Sequence, residues 1–533
     1  MTSAAVGGQP SEVGVDFGTA TTFVAARSLA GPAQVVPLGR STPWLPSLAR
    51  ADGHAIVAGE DADDGNGATI RSVKAAITQR RTAVTGWGPD GPVTVPADTV
   101  VAAVLAEAAR RAGAAGLALD NGCPVRLGCP VLWDGGQRRR LLDVAGAAGL
   151  AVDESRLIEE PVAAGLAWLT HSYLGRGERP EGRLLVFDMG GGTLDIAVMA
   201  VSAGPRPRVA VLGAAGSAVA GDALDTEMAR DMAAEMAARG VDVTLSGRPE
   251  VAWALLERAA RETKTRLSHV DEHVVMLPAP LRYPHPVRYD RPRLETAFRG
   301  QMDGAETLAL SALRTARATR QPLTAAELRA VSRSSLADDV DFVLLVGGMS
   351  RIPYVQRRLA ACFRRARIYR HAGGAADEAV VAGLAGTGEE EVTLHRPGFD
   401  LVLEWGEGRR VFYEAYTPLF EPWQIYSGYS ELVYERWLRP PEVPDRGEGR
   451  VRAFGLSRRE VALELDGRIG PLPVRFCSDG VALRLTGDGA FELRDLGGVT
   501  ALRADGWPMP AGSIGGGDGG RLVLSRARGS PSR

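Results

Sequence analysis

The stretch Leu184-Leu-Val-Phe-Asp188-Met-Gly190-Gly191-Gly192-Thr193-Leu-Asp195-Ile-Ala-Val constrains this chain more than any other. An apolar run of strand length ends in an acid, three glycines turn the backbone, and a second strand begins through Thr193. Glycines in such a turn let successive backbone N–H groups face one phosphate with no side chain in the way. Asp188 and Asp195 bracket the turn, where carboxylates can hold a hydrated Mg²⁺. A lone glycine turn carries little weight, but this one has a twin. Val13-Gly-Val-Asp16-Phe-Gly18-Thr19-Ala20-Thr-Thr-Phe-Val repeats the order strand, Asp, glycine turn, Thr, strand. Two such hairpins predict a duplicated fold that grips a phosphate tail from both sides.

Lysine usage sharpens this. Of 62 basic residues only Lys74 and Lys264 are lysines. Where arginine serves every ordinary surface, a surviving lysine points to a site that needs a compact ammonium rather than a planar fork. The four cysteines, Cys123, Cys129, Cys362 and Cys477, have neither metal-ligand spacing nor a disulfide framework. A net charge of −2 gives no reason to expect nucleic acid. Residues 1–10 lack the basic and apolar regions of a signal peptide, and no apolar run reaches membrane-spanning length, so no membrane insertion and a cytoplasmic location are expected. At 533 residues the chain predicts several domains.

Strands and helices alternate up to about residue 388, the pattern of an α/β fold. Residues 97–115, 135–148, 222–239, 249–268, 303–319 and 324–333 read as helices, with Arg138-Arg-Arg as an exposed run. The buried strand Asp341-Phe-Val-Leu-Leu-Val346 feeds a third glycine turn, Gly347-Gly348-Met-Ser350-Arg351-Ile-Pro353. There Ser350 is expected to cap a helix and Pro353 to occupy its first turn. Gly347 and Gly348 would let the backbone lie against a base or ribose.

In this order the motifs resemble the actin-like ATPase superfamily and, within it, the nucleotide-binding domain of DnaK-type heat-shock chaperones. Asp16 to Thr19 and Asp188 to Asp195 are similar to the two phosphate motifs, and Leu157-Ile-Glu-Glu160-Pro161-Val-Ala-Ala164 to the hinge. Gly347 to Gln356 is similar to the adenosine motif, and Asp377 to Gly383 to the return helix. Lys74 matches the family's catalytic lysine, and Lys264 and Ser268 its adenine-side pair. Val131-Leu-Trp-Asp134-Gly-Gly-Gln137-Arg138 favours the chaperones over bacterial actin-like filament proteins. Small-molecule kinases of the superfamily usually carry another adenosine motif.

The resemblance implies a two-lobed ATPase of duplicated ribonuclease-H-like lobes, followed by a small β-rich domain. Lobe I is expected at about 12–183 and 350–388, lobe II at about 184–349. The β domain is expected at 395–510, with disordered ends at 1–11 and through most of 511–533. Asp16 and Asp188 would hold Mg²⁺ through water, with Gly18, Thr19, Ala20, Gly190, Gly191, Gly192 and Thr193 around the phosphates. Gly221, Lys264, Ser268, Gly347, Gly348, Ser350 and Arg351 would hold the rest of ATP or ADP. Lys74 would orient the attacking water, and Glu160 or Asp195 would take its proton or order the metal shell. Implied partners are unfolded polypeptide, a dedicated protein, a co-chaperone or a nucleotide-exchange factor. Arg261 departs from the family, which often has glutamate there.

After residue 395 the resemblance thins. Asp400-Leu-Val-Leu-Glu404 is faintly similar to the family's interdomain linker, and Thr417-Pro-Leu419 to the start of its peptide-binding domain. Period-two runs such as Val481-Ala-Leu-Arg-Leu predict antiparallel strands, with no amphipathic helical lid. Trp405, Tyr413, Tyr416, Trp423, Tyr426, Tyr429, Tyr434 and Trp437 are expected mainly to pack a small β core.

Overall fold

The computed structural model describes residues 10–28, 31–52, 55–63, 68–88, 91–119, 125–245, 247–277, 281, 283–321, 323–370, 375–386, 389–426, 431–510 and 521–526. The expected disordered ends fall largely outside these, as do Cys123 and Tyr429.

One five-strand pattern is built twice. In the first sheet the order is Leu157–Glu159, Val125–Cys129, Glu12–Phe17, Thr21–Arg27, Gln34–Val36. The first three run parallel, and Thr21–Arg27 returns antiparallel to Glu12–Phe17. The second sheet orders Arg367–Tyr369, Phe342–Val346, Glu181–Met189, Leu194–Ser202, Arg208–Ser217 with the same directions. Each acid-and-glycine turn therefore joins the antiparallel pair at the same place in its own sheet. This is an actin-like α/β fold with a β-rich C-terminal region.

Continuous apolar strands follow from covering a sheet on both faces. Leu184 and Val186 face one core with the helix Glu160–Thr170, while Leu185 and Phe187 face the other. The helix Ala379–Leu384 packs so closely on Glu160–Thr170 that a Cβ at Gly383 would lie 1.8 Å from the Ala163 carbonyl oxygen. Only glycine permits that approach. Each lobe carries an extension. The first is a five-stranded sheet within residues 49–96, backed by the helix Ala97–Ala114. The second comprises the helices Gly221–Ala238, Pro249–Leu267 and Arg291–Arg320.

Several expectations need correction. The helix expected at 303 starts at Arg291, because the Asp290 carboxylate accepts from Arg293 N at 2.9 Å and Pro292 sits in the first turn. Residues 324–333 hold a capped helix Ala325–Ala330, and a second, Arg333–Ala337, begins at their end. The expected return to lobe I at 350 comes later. Val355 and Leu359 of the helix Pro353–Cys362 pack into the second core, and Arg367–Tyr369 joins the second sheet. Arg138 is not exposed but fully buried.

Asp400–Trp405 is no linker. It is a strand paired on both sides, with Gly408–Tyr413 and with Gly447–Phe454, and Leu401, Val402 and Leu403 are buried. It belongs to an eleven-stranded sheet whose core includes Phe399, Phe412, Phe476 and Leu483. The strand before it, Glu391–Leu394, extends the second lobe's sheet between Arg208–Ser217 and Met509–Pro510. The aromatic cluster divides: Tyr413 and Tyr416 are buried, whereas Trp423 and Tyr426 are more than half exposed.

Candidate functional site

The two lobes enclose a cleft of about 380 Å³, and both hairpin turns open into it. Gly18 N donates to Thr21 O at 3.0 Å in the first turn, and Gly190 N to Thr193 O at 3.0 Å in the second. The turns nearly touch, since a Cβ at Gly192 would lie 2.6 Å from Thr19 Oγ1. Asp16, Gly18, Thr19 and Ala20 line one side, and Asp188, Gly190, Gly191 and Thr193 the other.

Lys74 enters from the first lobe's extension, where it precedes the short helix Ala75–Thr78. Its ammonium is buried and donates to Glu160, the first residue of the helix Glu160–Thr170. It also lies 5.7 Å from the Trp133 ring centroid. At the other end the helix Pro249–Leu267 and its C-terminal turn present Arg261, Lys264, Thr265, Ser268 and His269. Gly347, Gly348 and Arg351 face the same cleft, with Arg351 held by Asp377 at 2.5 Å. At φ +80° a side chain on Gly347 would strike the Met189 carbonyl, 2.4 Å from its Cβ.

Four expected residues stand behind the wall. Asp195 Oδ1 accepts from Val131 N at 2.8 Å and joins the lobes. Gly192 packs on Thr19. Gly221 O accepts from Lys264 Nζ at 2.9 Å, which aims that lysine. Ser350 caps no α-helix: its hydroxyl donates to Gly347 O at 2.7 Å and braces the turn, while Ile352 stands at the N-terminus of Pro353–Cys362.

Charge is concentrated here. Burial, then the negative charge of Glu160, pushes Asp16 up to about 7. The same two causes, in the same order, bring Asp195 to about 7. Asp188 is held well above the carboxylate range by burial, then by Glu160, Asp195 and Asp16. Burial pulls Lys74 down, but Glu160, Asp16 and Asp195 together outweigh it, and its pKa rises. The cleft thus holds a surplus of acid that added positive charge would relieve. Among the described residues no group of three His, Cys, Asp or Glu could hold a bare metal ion. The two buried carboxylates Asp16 and Asp188, set in the wall of the cleft, suit a cation that keeps its water shell.

Thr265 and His269 were missed as cleft residues, although they fall on the helical face that Lys264 and Ser268 define. Phe23 and Trp44 were also missed, and no local signal marks them.

Behind the cleft the C-terminal region meets both lobes. Arg138 and Arg396 share the Glu159 carboxylate, next in sequence to Glu160, and Tyr416 lies with its ring centroid 4.0 Å from the Arg138 guanidinium. Burial works to lower the Arg138 pKa, but Cys129, Glu159 and Tyr416 outweigh it and raise it. Ser457 N donates to Glu154 at 2.7 Å, and Arg329 donates to the Ile425 carbonyl at 2.5 Å. Among the described residues no helix is long and apolar enough to cross a membrane.

The sequence is similar to known proteins. Residues 94–390 match the family described as Hsp70 protein. A chaperone protein HscA homolog of Delftia acidovorans is 30% identical over 377 residues, 66% of this chain and 54% of that protein. An HscA homolog of Variovorax paradoxus is 33% identical over 236 residues, 44% of this chain and 32% of that protein. The mitochondrial heat shock 70 kDa protein of Solanum tuberosum is 28% identical over 263 residues, 48% and 33% of the two chains. The matches span about a third to a half of these relatives' length. With the family match covering more than half of its residues, the chain belongs to the Hsp70 protein family.

Proposed function

We propose that this protein binds ATP with Mg²⁺ in the cleft and hydrolyses it slowly, coupling the nucleotide state to a polypeptide or protein partner held by the β region. The observation that carries this reading is convergence. Two acid-and-glycine turns, both lysines of the chain and the third glycine turn meet around one space of about 380 Å³.

Phosphoryl transfer to water depends on positioning and charge stabilisation more than on covalent chemistry. The N–H group of Gly191, with the hydroxyls of Thr19 and Thr193, would receive the β- and γ-phosphates, while Gly18 and Gly190 use their N–H groups to close the two turns. Asp16 and Asp188 would hold Mg²⁺ through its water shell, where the ion neutralises phosphate charge. Glu160 keeps Lys74 aimed at the phosphate end as a point donor to water and developing charge. Asp195, set one layer back, positions Val131 and supports the Lys74 charge. Arg351, fixed by Asp377, and the helix face Arg261–His269 would hold the nucleoside.

Coupling is supported by Glu159 and Glu160. One side chain anchors Lys74 in the cleft and its neighbour anchors Arg138 and Arg396 beneath Tyr416. Trp423 and Tyr426 are exposed at the turn Pro422–Ile425, which packs on the second lobe, with Arg329 donating to the Ile425 carbonyl and Arg314 over the Tyr426 ring, and so adds a contact between the C-terminal region and that lobe.

Calorimetric titration with ATP, with and without Mg²⁺, tests the first step, and phosphate release the second. No Mg²⁺-dependent binding would end this reading. Phosphate transferred to a sugar or another acceptor would make the protein a kinase, and ATP-dependent sedimentation would make it an actin-like filament protein.

A further inference from the structure

Hydrolysis through Lys74 requires its ammonium at one point of the cleft, yet a lysine stem is long and flexible. The Glu160 carboxylate accepts from that ammonium on one side. Two further side chains hold Lys74 from behind, and neither lines the cleft. Trp133 is fully buried, with its ring centroid 5.7 Å from the Lys74 ammonium, and Lys74 itself is 2% exposed. With both partners out of water, the attraction between ring face and cation is at the strong end of its range. Trp133 is fixed at both ends. Its Nε1 donates to Thr78 Oγ1 at 3.2 Å, in the last residue of the short helix that Lys74 precedes. Its carbonyl accepts from Arg138 Nε at 2.8 Å.

Gln137 holds the same turn through the backbone. Lys74 O accepts from Ile77 N at 3.0 Å, so the lysine and the end of its helix form one turn. Gln137 Nε2 donates to Thr78 O at 2.9 Å and to Ile77 O at 3.4 Å. Helix ends leave carbonyls over, and a buried amide satisfies them here. On its other side Gln137 Oε1 accepts from Asp134 N at 3.2 Å, within the cap of the helix Gly135–Ala147. Two carbonyls on one side and an N–H on the other leave the amide a single orientation.

We propose that Trp133 and Gln137 are positioning residues for Lys74. The ring closes one side of the ammonium, the amide fixes the turn that carries it, and the donors left over face the cleft. Neither residue touches the nucleotide. This rests on the reading that Lys74 serves ATP hydrolysis.

Single-turnover phosphate release from Mg²⁺–ATP, with ATP affinity measured alongside, tests the assignment. Trp133→Leu and Gln137→Ala should each lower the hydrolysis rate roughly tenfold, the scale of a desolvated cation–π contact or a buried hydrogen bond. ATP affinity should change less than about twofold. Trp133→Phe keeps a ring face and loses only the hydrogen bond to Thr78, so its rate should stay within about threefold of the unaltered protein. In a Lys74→Ala background, Trp133→Leu and Gln137→Ala should take nothing further from the rate, although each still lowers Tm. A purely structural role would cut the rate equally in both backgrounds, or lower Tm with no change in rate, and either result overturns the assignment. Where Trp133→Leu does not fold, Gln137→Ala gives the same test. Unchanged hydrolysis in Lys74→Ala itself would overturn the role of Lys74, and the positioning with it. A rate that depends on Lys74 but on neither Trp133 nor Gln137 overturns the positioning alone.

Discussion

The cleft and the C-terminal β region bury opposite things. Around the cleft Asp16, Lys74, Glu160, Asp188 and Asp195 are all nearly inaccessible, and four of the five are carboxyl groups. In the β region the interior is Phe399, Leu403, Phe412, Phe476 and their apolar neighbours. Past Asp400 no lysine, arginine or carboxylate among the described residues is buried. Charged pairs there, such as Arg484 with Glu492, stand at the surface. Burying unbalanced carboxylates lowers stability, so such groups persist where a ligand supplies the missing charge. The cleft therefore states its chemistry in its interior. Any binding by the β region must rest on its surface.

This contrast can be broken at several points. Leu403→Ala, in the middle of the β core, should cost about 2–5 kcal/mol in chemical denaturation, the range for a buried leucine. Nucleotide affinity should hold, and a large loss of it would mean that the two regions do not separate energetically. Lys74→Ala should lower kcat on the order of a hundredfold or more in single-turnover phosphate release, the scale of a preorganised donor. ATP affinity should fall much less, and unchanged hydrolysis would remove the role given to Lys74.

Asp188→Asn sharpens the comparison further. Its carboxyl is held well above the usual range, so the charged form is disfavoured in the folded chain. The neutral isostere should raise the stability of the ligand-free protein, on the order of 1 kcal/mol, while weakening Mg²⁺-dependent binding. A loss of stability would make the buried acids structural. The smallest effect is that of pH. With Asp16 and Asp195 at about 7, the folded state keeps protons that the unfolded state loses above about pH 4. Their burial thus costs stability increasingly as pH rises from about 4 through 7. Added Mg²⁺–nucleotide offsets that cost, so its effect on Tm should be larger at pH 8 than at pH 6, by roughly 2 °C. Equal shifts at the two values would show that Asp16 does not face the bound cation.

The hairpins were legible because everything that makes them is local. Asp188 to Asp195 carries its own strand ends, turn glycines and acids within a few residues, as does the turn after Asp16. The two lysines were legible through contrast with the arginine-rich remainder. Local signals were also present but missed at Asp290-Arg-Pro292 and in the helical spacing of Leu294, Phe298 and Met302, which start the long helix a dozen residues before 303. Asp400–Glu404 misled for the opposite reason. A short apolar run looks the same as a linker and as a strand until its partners are known, and those partners are Gly408–Tyr413 and the distant Gly447–Phe454.

By itself the sequence determined the acid-and-glycine turns, their duplication and the α/β alternation, because strand periodicity and glycine turns are written over short stretches. Tertiary structure alone decided that Lys74 meets Glu160 86 positions away, that Ser72 reaches Asp222 across the cleft, and that Arg138 is buried beneath Tyr416. It also decided that residues 353–369 belong to the second lobe. Such outcomes depend on which sheet edge and which buried charge the packed chain brings near, and no local pattern encodes a partner a hundred residues distant.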